Sequence, residues 1–164
     1  MLLDGNNGCG KSSLIKSILA QVNGKTEREL NYETTGTLSV VSGLKISYIN
    51  QDTSHLRGTL KAYAEKNDID YTLLLTLLRQ LDFSRVQFGK DMIEFSEGQK
   101  KKVLIASSPL TPAHIYIWDE PLNYIDVFSR MQIEKLLMHY APTMLLVEHD
   151  VKFKETLSTK LVKM

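Results

Sequence analysis

The sequence predicts an α/β fold, with a mostly parallel sheet core, a helical subdomain and a remnant of antiparallel β strands. Three observations carry this. A short apolar run, Leu2-Leu3, leads through a glycine-rich loop into a helical pattern. Two further apolar runs, 115–118 and 144–147, are separated by an amphipathic helical segment, as expected of strands buried on both faces of a parallel sheet. Residues 52–94 break that alternation and read as an all-helical insertion.

The elements follow in order. Residues 11–22 place Leu14, Ile15, Ile18, Leu19 and Val22 on one stripe at helical spacing, and Asn23-Gly24 ends it. Residues 25–34 are polar and read as loop. Residues 35–40 and 44–50 read as two strands joined around Ser42-Gly43. In the second, Leu44, Ile46 and Tyr48 alternate with Lys45 and Ser47. Residues 59–66 and 70–81 are helical, the latter opening at an Asp70 cap. Residues 96–107 form a third helix of this region, stopped near Pro109 and Pro112. Then come a strand at 114–118, a helix at 129–139, a strand at 144–147 and a last strand at 161–163. Residues 1–51 and 108–164 are expected to form the core, and 52–107 the helical subdomain. Only four residues precede Gly5, fewer than the about five or six of an ordinary strand. The chain is therefore expected to begin inside its domain.

Composition narrows the function classes. A net charge of +1 gives no global electrostatic drive toward nucleic acid or membrane. The single cysteine, Cys9, excludes an intrachain disulfide and suits a reducing compartment. No apolar run approaches the ~18 residues of a membrane span. These features predict a cytoplasmic protein without direct membrane insertion.

The chemistry starts at Gly5-Asn6-Asn7-Gly8-Cys9-Gly10-Lys11-Ser12, which fits G-x-x-x-x-G-K-[ST] without mismatch and is followed by Ser13. Such a loop wraps a polyphosphate: glycines let backbone N–H groups point inward, Lys11 reaches the outer phosphates, and the Ser12 hydroxyl holds Mg²⁺. The helix that follows adds its dipole to the anion site. This predicts a phosphate-loop NTPase with a polyphosphate and Mg²⁺ as ligands. Four further features agree. Residues 115–120, Ile-Tyr-Ile-Trp-Asp-Glu, end an apolar strand in two carboxylates. Asp119 is placed to bind Mg²⁺ and Glu120 to orient the attacking water. Phe95-Ser96-Glu97-Gly98-Gln99 opens a helix and offers a second anion site. Gln51 follows a strand and is a candidate for metal or water contact, completing a metal set of Ser12, Gln51 and Asp119. Glu148-His149-Asp150 follows the last fully apolar strand. Taken singly, strand-end acids also suit a solvated turn, and 95–99 also suits a Ser-capped helix.

In this order the five features resemble an ATP-binding cassette (ABC) nucleotide-binding domain, over essentially the whole chain. Residues 5–12 resemble its phosphate loop, Gln51 its Q-loop, 95–99 its signature, 115–120 its Walker B strand, 122–126 its D-loop and His149 its switch histidine. The resemblance implies that two such domains close head to tail around ATP. Glu120 then polarises water with Lys11 and His149 as catalytic companions, His149 senses the γ-phosphate, and Ser96, Glu97, Gly98 and Gln99 face the partner's ATP. The run Glu120-Pro121-Leu122-Asn123-Tyr124-Ile125-Asp126 resembles E-P-T-N-H-L-D of the ABC-F class more than E-P-T-S-A-L-D of transporters, with Asn123 as the discriminating residue. Residues 118–130 look most like the second cassette of antibiotic-resistance ABC-F proteins, which act on the ribosome. The alternative is the ATPase subunit of an ABC transporter. A degenerate cassette serving only for binding is the weakest reading, because Lys11, Asp119, Glu120 and His149 are all present.

The chain departs from the pattern in places. The aromatic residue that stacks adenine upstream of the phosphate loop has no counterpart, so weak ATP binding is expected of this chain alone. Glu97 replaces the first signature glycine, and a carboxylate there is expected to turn from the γ-phosphate toward Lys100 or Lys101. Lys100-Lys101-Lys102 suits an RNA or phosphate contact, but with a net charge of +1 it reads rather as a solvated helix face. His55, His114 and His139 show no metal spacing.

Overall fold

The computed structural model describes residues 1–6, 8–24, 35–157 and 159–164. Five strands form one sheet in the order β2-β3-β4-β1-β5: β1 (Leu2–Asp4), β2 (Ile46–Ile49), β3 (Ile115–Asp119), β4 (Met144–Val147) and β5 (Leu161–Lys163). All four pairings are parallel. Helix α1 (Lys11–Val22) follows β1, and α2 (Leu60–Lys66), α3 (Tyr71–Gln80) and α4 (Glu97–Ser107) lie between β2 and β3. Helix α5 (Val127–Tyr140) links β3 to β4, and α6 (Val151–Leu157) links β4 to β5.

The apolar strands are buried on both faces, as their composition requires. Leu3, Ile117, Leu145 and Val147 meet Ile15 of α1 on one side. Leu2, Ile49, Trp118 and Leu146 meet the larger cluster on the other, with Leu74 and Leu78 of α3, Val103 and Ile105 of α4, Ile133 of α5 and Phe153 of α6. A chain that packs both faces has no solvated side to mark by alternation, so consecutive residues such as Leu2 and Leu3 are both buried.

Local chemistry sets the helix starts. The Thr59, Asp70 and Asp126 side chains accept from Ala62, Leu73 and Ser129 N–H at 3.2, 2.8 and 2.8 Å. Ser96 and Gln99 form a reciprocal capping box at α4. No side chain caps α1, whose N-cap is Gly10. That difference positions the site.

Several expectations are corrected. Residues 35–40 form no strand; they are mostly exposed, and the described residues give them no strand to pair with. The only antiparallel pairing among the described residues is the isolated bridge Thr59–Asp91. The strand expected at 44–50 is trimmed to β2. The loop expected at 25–34 lies outside the described residues, as does Asn7. Helix α6 was not foreseen. The triple lysine is not a solvated face: Lys101 and Lys102 are buried and Lys100 is half-buried, because α4 is enclosed on nearly every side. No helix among the described residues is long and apolar enough to cross a membrane.

Candidate active site

A parallel sheet gathers its strand-end residues along one edge, and the candidate residues arrive there from four strands. Beyond β1 the chain turns through Gly8 and Gly10, both left-handed at φ 84° and 104°. Gly5 admits no Cβ, which would lie 2.6 Å from Cys9 Sγ and 2.9 Å from the Met164 carbonyl. Lys11 is 6% exposed. Its Nζ donates to the carbonyls of Gly5 and Asn6 at 2.8 and 2.9 Å, with Cys9 Sγ 3.8 Å away.

At the end of β3, Ser12 Oγ donates to Asp119 Oδ2 at 3.1 Å. Asp119 Oδ1 is buried with no hydrogen-bond partner among the described residues. Burial pushes the Asp119 pKa up, with a contribution from neighbouring Glu120; the Ser12 hydrogen bond and the charges of Lys101 and Lys11 oppose it. An orphaned carboxylate oxygen beside a hydroxyl suits a hard divalent cation such as Mg²⁺, which takes one or two protein ligands and completes its shell with water and substrate phosphate. The described residues hold no cage of three or more His, Cys, Asp or Glu.

Glu120 follows in the left-handed region, φ 50°, with its N–H donating to Val147 O at 2.9 Å. This turn carries the carboxylate out over the strand ends. Asn123 Nδ2 donates to Glu120 Oε2 at 2.8 Å, and His149 Nε2 lies 3.3 Å from Glu120 Oε1. Glu148, buried behind them, accepts from the His149 N–H at 3.0 Å, and burial pushes its pKa up. A cavity of about 390 Å³ opens between Gly8, Gly10, Lys11, Ser12, Ser13, Gln51 and Glu120.

A family model described as ABC transporter matches residues 1–123. The chain belongs to this family of ATP-binding cassettes. ATP-binding protein Uup of Buchnera aphidicola subsp. Acyrthosiphon pisum is 30% identical to it over 171 residues, covering 98% of this chain and 27% of that protein. Ribosome protection protein VmlR of Bacillus subtilis is 30% identical over 164 residues, covering 96% and 28%. The chain thus spans about a quarter of these relatives' length, and both are ABC-F proteins. Among solved structures, the complex of archaeal ribosomal stalk protein aP1 with ribosome recycling factor aABCE1 superposes with a TM-score of 0.76 at 28% identity, covering 99% of this chain and 31% of that one. A putative cobalt transport ATP-binding protein superposes at 0.72 with 20% identity and shows the fold alone.

Within this ABC cassette, the structure brings Gly8, Gly10, Lys11, Ser12, Ser13, Gln51 and Glu120 around one cavity, with Asp119 and His149 bonded to its walls. Ser96, Glu97, Gly98 and Gln99 do not line it. The Ser96 and Gln99 side chains are engaged in their capping box. Glu97 turns away, as expected, toward Lys100 at 3.2 Å, and also accepts from Thr53. A Cβ on Gly98 would collide with the Tyr124 carbonyl oxygen, so glycine here serves close packing within the chain.

Sequence reasoning missed Lys101, which is 1% exposed and donates to Asn50 O at 2.7 Å. It stands four residues before the buried Ile105, a spacing that places both on one face of α4. Thr53 and the Asn123 contact with Glu120 left no signal beyond their neighbourhood to the motifs.

Proposed function

We propose that this chain is one cassette of a two-cassette ABC-F protein that hydrolyses Mg·ATP and acts on the ribosome, protecting it from an antibiotic. The observation that carries the ATPase reading is the convergence of Lys11, Ser12, Gln51 and Glu120 on one cavity, with Asp119 hydrogen-bonded to Ser12. The ABC-F reading is supported by Asn123 and its contact with Glu120, and the ribosomal reading by the likeness to VmlR.

The residues divide the work as follows. The amides of residues 5–13 and Lys11 hold the β- and γ-phosphates of ATP. Ser12, Asp119 and Gln51 hold Mg²⁺, which supplies positive charge against the transferring phosphoryl group. Glu120 orients and polarises the attacking water, held in place by Asn123 and His149. His149, exposed beside Glu120, senses the γ-phosphate. The turn of Ser96, Glu97, Gly98 and Gln99 faces the ATP of the second cassette in a head-to-tail pair, with the Glu97 carboxylate directed aside toward Thr53 and Lys100. Residues 1–51 with 108–164 act as the ATPase core and 52–107 as a helical subdomain, and the protein works in the cytoplasm with ribosomal RNA as its larger partner.

The test uses the intact protein that carries this cassette, with Glu120→Gln and the equivalent change in the other cassette, centrifuged with 70S ribosomes. Pelleting in ATP but not in ADP supports the reading. A variant that binds ATP yet never pellets with ribosomes removes it and favours the transporter subunit.

A further inference from the structure

The loop that carries Gln51 is fastened to α4 at two points, one on each side of Gln51. Upstream, Lys101 Nζ donates to Asn50 O at 2.7 Å. Downstream, the Thr53 hydroxyl donates to Glu97 Oε2. Glu97 and Lys101 are four residues apart on α4 and so project from one face of it. Thr53 and Lys101 are buried, the Glu97 side chain is about half exposed at 53%, and Gln51, between Asn50 and Thr53, is exposed. A buried ammonium is tolerated only with partners, and Lys101 stands in the field of Asp119, Glu120, Glu148 and Glu97.

Two attachments do what one cannot. A single hydrogen bond leaves the loop free to swing about it. Two bonds on either side of one residue fix the orientation of that residue against the helix. The exposed group they fix, Gln51, lines the cavity with Lys11, Ser12 and Glu120.

We infer that Glu97 and Lys101 are positioning residues that clamp the start of α4 to the Gln51 corner. The turn bearing Ser96 and Gly98 then moves as one body with the chain's own nucleotide cavity. The inference rests on the ATPase reading above and adds to it a use for Glu97, the residue that replaces a signature glycine. Its carboxylate is the downstream half of the clamp.

The test is a double-mutant cycle in the intact protein that carries this cassette, reading kcat and KM for Mg·ATP. Thr53→Val and Glu97→Gly each lower kcat by about tenfold with KM within about twofold, and the double variant falls no further than the worse single one. Lys101→Met lowers kcat similarly, and Lys101→Arg, which keeps a donor, recovers part of the loss. Melting curves identify any variant that fails to fold, and if Lys101→Met is one, the Thr53–Glu97 cycle decides. Losses that add in the double variant, a KM rise at constant kcat, unchanged kcat, or a gain in Glu97→Gly each overturn the clamp. An unmodified protein that neither binds nor hydrolyses Mg·ATP overturns the ATPase reading, and the clamp with it.

Discussion

Asn123→Ala isolates the part of the site that separates the two subfamily readings. The Glu120 carboxylate has two holders, Asn123 Nδ2 at 2.8 Å and His149 Nε2 at 3.3 Å. A hydrogen bond to a charged group contributes about 1.5–3 kcal/mol when dry. Asn123 is exposed, so the value falls below that range, to about 1–1.4 kcal/mol. If that positioning is needed only when water attacks, its loss raises the barrier by the same amount and lowers kcat about five- to tenfold. ATP affinity stays constant, because Asn123 does not line the nucleotide cavity. The assay is phosphate release at saturating Mg·ATP by the intact protein, with ATP affinity measured separately. Asn123→Ser, the transporter-like residue, is expected to behave as alanine because its hydroxyl is too short to reach Oε2. In a Glu120→Gln background neither change has any further effect. A kcat within twofold of the parent, or a loss that persists in that background, refutes the assignment of Asn123 as a holder of Glu120.

Two further expectations concern the fold around the site. Lys102 Nζ lies 2.7 Å from Asp126 Oδ2. Burial raises the Asp126 pKa, but the Lys102 hydrogen bond and those from Ser129 outweigh it and hold the pKa down at about 2. A depressed carboxylate stabilises the fold above its unfolded pKa and loses that effect as pH falls through the folded value. Lys102→Met is therefore expected to be less stable than the parent by about 1 kcal/mol, discounted for the exposure of Asp126, at neutral pH. The gap closes between about pH 4 and pH 2, and urea titrations across that range check it; a gap independent of pH rejects the pairing. Gly98→Ala is expected to cost about 1–3 kcal/mol, since its methyl group meets the Tyr124 carbonyl rather than a movable side chain. Thermal melting with ATP turnover reads this, and an unchanged melting temperature contradicts the close approach.

Much of the architecture was legible in the residues, for identifiable reasons. The strands 144–147 and 161–163 and the helix 11–22 emerge with the expected bounds because apolar runs and an Asn23-Gly24 stop are local signals. The segment 35–40 looked like a strand for the same local reasons and is none, because a strand exists only through a partner. Helix α6 is too short for a periodic pattern. It has a single wholly buried anchor, Phe153, and its start is marked by Asp150, which accepts from the Phe153 N–H at 2.9 Å. The triple lysine misled because charge suggests solvent, whereas α4 packs against α3 within the core and carries Lys101 inward. For the candidate site, the residue types were legible and their mutual contacts were not. No spacing rule tells that Asn123 reaches back to Glu120, or that Thr53 meets Glu97 from 44 positions away.

Under the proposed ATPase reading, the resting place of Lys11 gives the phosphate loop a selectivity of its own. Its ammonium already spends two hydrogen bonds on the carbonyls of Gly5 and Asn6. A newcomer does not merely attract this lysine; it must offer a better pair of acceptors than the loop's own backbone. Neutral oxygens offer no improvement, whereas phosphate oxygens bring full negative charge and shorter, stronger bonds. Nucleosides and sugars are thus turned away at no expense in dedicated side chains, and entry becomes an exchange reaction whose equilibrium is set by the charge of the guest.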